Sequence, residues 1–248
     1  MMWAMREPGS VAVTGARGRI GSALVEQLAA HGYRLTLVDR PGTGVGRMSS
    51  LGTIVELDLA QPPPLALFAG VEVVVHLAGE ARQDASWETL LPDNIQASYY
   101  VASEALRAGC RRLIVASSVH AVYASPTPPV AVDGPVAPAN LYGVTKCFAE
   151  ALAFWCAHRG PMSAAAVRIG AFQTVEAAQA SGAAERMADT FIAASDLVSL
   201  LELVITAEYQ FALLHAAAPG RNVLLDTSAT EKMLGWHAEH HFPAGADR

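Results

Sequence analysis

A chain of 248 residues that is 52% hydrophobic and 16% charged is long enough for one large α/β domain or two small ones and is too apolar to be disordered. A net charge of −6 and a pI near 5.7 offer no basic face for a phosphate backbone, which argues against nucleic acid as a partner. Cys110, Cys147 and Cys156 are an odd number without metal-ligand spacing, so reduced thiols in a cytoplasmic chain are expected and no metal site.

The start, "MMWAMREPGS", has no apolar stretch of signal-peptide length, and "VEVVVHLAG" is far shorter than the ~20 residues of a spanning helix. "SVAVTG" (10–15) reads as a strand. Behind it Gly15, Gly18 and Gly21 are spaced G-x-x-G-x-x-G and run into a helix over 19–32, whose stripe is Ile20, Leu24 and Leu28. A strand, a glycine turn and a helix start in that order suit a pyrophosphate, because glycine lets the backbone approach closely and the helix end supplies free N–H groups. The next strand, 33–39, ends on Asp39, 18 residues after Gly21, where a carboxylate can accept from ribose hydroxyls. That favours NAD over NADP, since the carboxylate repels a 2′-phosphate, although a guanidinium at Arg40 could instead meet that phosphate.

Between Asp39 and Thr53, "RPGTGVG" predicts a loop, with the second crossover helix short or missing. Strands follow at 53–58, with Asp58 placed for an adenine amino group, and at 71–78, where Ala78 and Gly79 leave room for ribose and phosphates. His76, inside the apolar run, reads as a satisfied core histidine. A long helix (86–108), a strand (111–118) ending on Ser118, a helix (139–159) and a strand (164–170) come next. After these the sequence predicts a helix (195–207), strands near 209–215 and 221–226, and a short helix near 227–234. Strands alternating with crossover helices imply an α/β fold with a doubly wound parallel sheet, expected as one domain over 1–248: a dinucleotide-binding core to about residue 170, then a small C-terminal substrate lobe and the last strands.

The 139–159 helix contains "LYGVTKCFAE", which places Tyr142 and Lys146 four apart on one side. A free phenol ionises near pH ~10. A neighbouring ammonium and a positive nicotinamide both favour the phenolate, which fits Tyr142 for general-base work. Ser118 is expected to hold the substrate oxygen beside it, and Lys146 to bond the nicotinamide ribose as well.

With Thr14, Gly15, Gly18 and Gly21 as T-G-x-x-G-x-x-G, Tyr142 and Lys146 as Y-x-x-x-K, and Ser118 upstream, the chain resembles the extended short-chain dehydrogenases/reductases of the NAD-dependent epimerase/dehydratase family. Within them it is most similar to the uronate dehydrogenases, through "ASSVHAVY", "LYGVTKCFAE", "VRIGAF" and "ERMADTFIAASDL". The resemblance implies a Rossmann-like fold and NAD-dependent oxidation of a uronic acid at its anomeric carbon. It implies a catalytic set of Ser118, Tyr142 and Lys146. It implies a cofactor set of Gly15, Gly18, Arg19, Ile20, Gly21, Asp39, Asp58, Leu59, Leu77, Ala78, Gly79 and Ile169, together with Tyr142 and Lys146. Ser118, His120, Tyr142 and Arg186 are implied for substrate, with Arg186 gripping the sugar carboxylate, and Asn94 is expected to be structural.

There are departures from that pattern. Val119 stands where the family has asparagine, Ala81 falls where it has a small hydroxyl residue, and the alanine-rich "RIGAFQTVEAAQASGAAERM" lacks the Cys-x-Pro-like start of its substrate loop. A less polar ketone or alcohol is therefore a second substrate reading. A nucleotide-sugar epimerase or dehydratase, and a non-enzymatic dinucleotide sensor, are further ones. A homodimer through the 86–108 and 139–159 helices, as in related enzymes, is expected as a possible assembly.

Overall fold

The computed structural model describes residues 9–42, 46–64, 66–174, 189–219 and 223–242. Its sheet runs in the order β3 (Thr53–Glu56), β2 (Arg34–Asp39), β1 (Ser10–Thr14), β4 (Val73–His76), β5 (Arg112–Ser118), β6 (Ser163–Ile169) and β9 (Phe211–Ala216). Every neighbouring pair in it is parallel. The chain builds outward from β1 to β3, returns to the other side of β1 at β4, and builds outward again. Between β1 and β4 the strand order reverses, which opens a crevice at the carboxyl ends where ligands bind in sheets of this kind.

Alternation along each strand explains why both faces must be covered. Val11, Val13, Val75, Ile114 and Val167 belong to one core, packed with Leu24 and Leu28 of α1 (Arg19–Ala30) and Leu197, Leu200 and Val204 of α5 (Ala194–Thr206). The residues between them, Ala12, Val74, Leu113, Val115 and Ala166, belong to the opposite core. There they meet Val101 and Ala105 of α3 (Ala97–Arg107) and Ala149, Leu152 and Ala153 of α4 (Leu141–Ala157).

Three features depart from the sequence expectations. The helix expected over 86–108 is helical from Trp87 but consists of α2 (Trp87–Leu90), a π-helical stretch (Leu91–Gln96) and α3. The strand expected near 221–226 is a single bridge between Leu225 and Val130. Its partner is one loop residue rather than a sheet edge, and the chain at once turns as Asp226 Oδ1 accepts from Ser228 N, 2.9 Å, to start α6 (Ser228–Leu234). A small parallel pair, β7 (Ala171–Gln173) with β8 (Phe191–Ala193), was not expected. In place of a second crossover helix there is one 3-10 stretch, Gly46–Ser50, which agrees with the loop reading.

Candidate active site

The glycine turn sits at the crevice. Gly15 has φ +67, and a Cβ there would lie 2.8 Å from Ala78 N, so only glycine lets β1 turn this close to the end of β4. A Cβ on Gly21 would lie 2.1 Å from Gly15 O, which ties the start of α1 to the same turn. Gly18 is the N-cap of α1 and no side chain caps that end, leaving first-turn N–H groups for an anion.

Asp39 Oδ2 accepts from Arg17 N (2.7 Å) and Oδ1 from Arg40 N (2.8 Å). Each oxygen keeps a lone pair for a further donor. Gly15, Gly18, Asp39, Asp58, Leu59, Leu77, Ala78 and Gly79, all expected at the cofactor, line one cleft. Arg40, weighed above against a 2′-phosphate, lines it too, as do Leu57, Ala60, Asp93 and Ala97, which were not expected there. Arg40 forms an ion pair with Asp93 across the cleft, and Arg17 pairs with Glu56 at 2.9 Å. The two guanidiniums beside Asp39 are thus matched with carboxylates. Ile20, Gly21 and Ile169 are not among these walls; Ile20 and Ile169 pack with the core behind them. Arg19 donates to Phe172 O, 2.9 Å, and lies over the Phe172 ring at 5.5 Å.

A directed chain of hydrogen bonds stiffens the ends of β1 and β4. The Ala78 N–H donates to Thr14 Oγ1, and that hydroxyl donates to His76 Nδ1, 2.7 Å. His76 Nε2 donates to Ser98 Oγ, whose own proton goes to Asn94 O, 2.6 Å. Burial, with Lys146 nearby, lowers the His76 pKa to about 3, so the ring is a neutral structural group, as its apolar strand suggested. Asn94, in the π-helical stretch, accepts from Glu80 N at 2.7 Å and donates to Glu80 O and to Thr145 Oγ1. Its amide clamps the loop after β4 to α4.

α4 begins at Asn140, whose Oδ1 accepts from Gly143 N at 2.8 Å. The same side chain donates through Nδ2 to His120 Nδ1, 3.1 Å, which leaves the proton of the neutral ring on Nε2. Burial lowers the His120 pKa and keeps it in that form. The His120 ring stacks on Tyr123, centroids 5.1 Å apart, and meets Tyr142 edge-on at 5.6 Å. Ser118 ends β5, and its Oγ accepts from His120 N at 3.2 Å. Lys146 Nζ donates to Ala116 O, 3.0 Å, and lies 5.5 Å from the centre of the Tyr142 ring. The structure therefore brings Ser118, His120, Tyr142 and Lys146 together at the end of β5 and the start of α4. Val119 packs in an apolar cluster with Val122, Val130, Ala217 and Leu225, and Ala81 is exposed. Arg186 lies outside the described residues.

The profile of the NAD-dependent epimerase/dehydratase family matches residues 11–209. A uronate dehydrogenase of Agrobacterium fabrum is 35% identical over 79% of this chain and 71% of its own length. An L-arabinose 1-dehydrogenase (NAD(P)(+)) of Haloferax volcanii is 34% identical over 67% of this chain and 68% of its own. Among solved structures, a mutant uronate dehydrogenase of Agrobacterium tumefaciens complexed with NAD superposes with a TM-score of 0.81. It is 29% identical and covers 96% of this chain and 91% of its own.

Proposed function

Because the chain belongs to the NAD-dependent epimerase/dehydratase family, we propose that it is an NAD-dependent oxidoreductase acting on a hydroxyl carbon of a uronic acid. The observation that carries this reading is Lys146 on the Tyr142 side of α4, with its ammonium 5.5 Å from the phenol ring and beside the end of β5. The crevice fits the cofactor: Gly15 and Gly21 leave no room for a Cβ, the start of α1 is uncapped by any side chain, and Asp39 has lone pairs free for ribose hydroxyls. Gly15, Gly18, Asp39, Asp58 and Leu59 would hold NAD, with Ala78 and Gly79 leaving it space. When bound, NAD takes up the hydride from the carbon being oxidised.

The chain's own residues handle the proton and the oxygen. Tyr142 Oη takes the proton of the substrate hydroxyl, and the Lys146 ammonium beside its ring attracts negative charge on that oxygen. Ser118 Oγ donates to the reacting oxygen and keeps it beside Oη. His120, protonated on Nε2, provides a second neutral donor to the sugar. Arg186 grips the sugar carboxylate, and residues after Gly170 supply the substrate lobe. Arg40, already paired with Asp93, does not shift the preference to NADP.

A second substrate reading is favoured by one observation. Val119, at the position of the family's asparagine, is buried among apolar side chains, which suits a less polar alcohol or ketone. We further propose a cytoplasmic chain with reduced thiols; burial pushes Cys110 and Cys156 up to about 11, which keeps both protonated. The proposal also includes a homodimer through Tyr99 of α3 and Leu141, Val144 and Trp155 of α4, which are exposed apolar residues; light scattering reports its mass.

The test is Tyr142→Phe. NAD binding should persist, while turnover on galacturonate or glucuronate falls at least ~100-fold, the scale of a lost acid–base group. Unchanged turnover overturns the role of Tyr142. Activity confined to apolar ketones with NADPH overturns both the uronate and the NAD parts.

A further inference from the structure

Among the described residues Arg168 heads the fully buried side chains by size, at 1% exposure, and the chemistry above gives it no task. It stands on β6 and forks onto Glu150 of α4, Nε to Oε1 at 2.8 Å and Nη2 to Oε2 at 2.9 Å. Nη1 reaches His215 Nε2 of β9 at 3.2 Å and Val132 O at 3.4 Å. His215 Nδ1 donates to Asp226 O, 2.8 Å. The arginine only donates and the carbonyl only accepts, so the ring is a neutral tautomer protonated on Nδ1. Ser117, the residue before Ser118, donates to Glu150 Oε1 at 2.5 Å.

Glu150 follows Lys146 by four residues and Tyr142 by eight, so the three form one stripe along α4. Its upper end bears the phenol and the ammonium. Its lower end is bolted to β5 one residue before the strand-end hydroxyl. A buried ion pair is weak evidence for stability, since well-packed apolar residues often do as well. What the two-pronged guanidinium–carboxylate contact supplies is direction and register.

We propose that Ser117, Glu150 and Arg168 are positioning residues that set the height and rotation of α4 against β5, and thereby the distance from Tyr142 and Lys146 to Ser118. This rests on the reading of Tyr142 as the proton carrier. An ångström of misplacement in such a site costs up to ~100-fold in rate. Two variants test it in the full-length protein. Arg168→Lys keeps the charge and loses the fork. Ser117→Ala removes only the hydroxyl between β5 and Glu150.

The expected results are a kcat about 10-fold lower for Arg168→Lys and about 3-fold lower for Ser117→Ala, with KM for NAD within about twofold of the parent. Placed in a Tyr142→Phe background, neither variant should lower the residual turnover further, because the proton carrier whose distance to Ser118 they set is gone. Parental kcat in a folded Ser117→Ala protein overturns the proposal, whether or not Arg168→Lys folds. So does an equal proportional loss with and without Tyr142, or a rise in KM for NAD without a change in kcat. Parental turnover in Tyr142→Phe alone would instead fell the reading beneath it, and a lock with no phenol to place falls as well.

Discussion

Asp39 shows how one side chain joins sequence, turn and ligand. Its two oxygens already hold the amides of Arg17 and Arg40, so the glycine turn and the end of β2 are fixed relative to each other before any nucleotide arrives. A hydrogen bond to a charged group is worth about 1.5–3 kcal/mol. Asp39→Ala should therefore raise KM for NAD by about 10- to 100-fold and leave kcat nearly unchanged, because the reacting atoms lie elsewhere. It also removes the charge that repels a 2′-phosphate while Arg40 remains, so the ratio of KM for NADP to KM for NAD should fall. Initial rates with both cofactors check this, and an unchanged KM for NAD would mean that Asp39 serves the turn alone. The glycines, Asp39, Ser118, Tyr142 and Lys146 were legible in the sequence because each combines a special residue type with a fixed position at the end of a strand or start of a helix. Asp93 and Arg40 as opposite walls of one cleft were not, because their meeting depends on the sheet order and no spacing records it.

Elements were readable where burial imposed a period. β1, β4 and β6 are unbroken runs of buried residues, β5 is interrupted only at Ala116, β2 sets its buried residues among less buried ones, and α1, α4 and α5 repeat at helical spacing. β7 and β8 have three residues each, too short for any period to emerge, and the bridge at Leu225 involves one. The π-helical stretch was hidden because its residues remain helical in pattern. One helix feature has a testable cause. Gly143, in the first turn of α4, would carry a Cβ 2.3 Å from His120 O. Gly143→Ala should push α4 from the turn that bears His120, costing roughly 1–3 kcal/mol of overpacking. For a chain of this length that is a fall in Tm of roughly 2–10 °C. Calorimetry measures it, and turnover should drop in the same protein because Tyr142 precedes the displaced residue. A Tm equal to the parent's would show that the helix accommodates the methyl group without moving.

At the scale of the whole molecule the sheet encloses histidines that stay uncharged. Burial lowers His76 to about 3 and His215 to about 4, and it lowers His120 as well. In the unfolded chain each ionises near ~6.5. Below that pH the unfolded state therefore binds protons that the folded state refuses, and stability falls as the solution is acidified. The stabilisation is complete above pH ~6.5 and drains away down to the folded values. Each group gives a slope of about 1.4 kcal/mol per pH unit in that window. Two such groups predict a loss of roughly 4 kcal/mol between pH 6.5 and 5, before the carboxylates Glu80 and Asp226, which hydrogen bonds hold below their usual range, begin to add theirs. Urea unfolding at pH 7.5, 6.0 and 5.0 measures the slope. His76→Gln keeps a polar group in the Thr14–Ser98 chain but binds no proton, so its unfolding energy should depend on pH about half as steeply as the parent's over that range. A parent whose urea midpoint stays constant from pH 7.5 to 5.0 would mean that these rings are charged inside the folded sheet, and the directed chain from Ala78 to Asn94 would then have to run through an imidazolium that Thr14 cannot donate to.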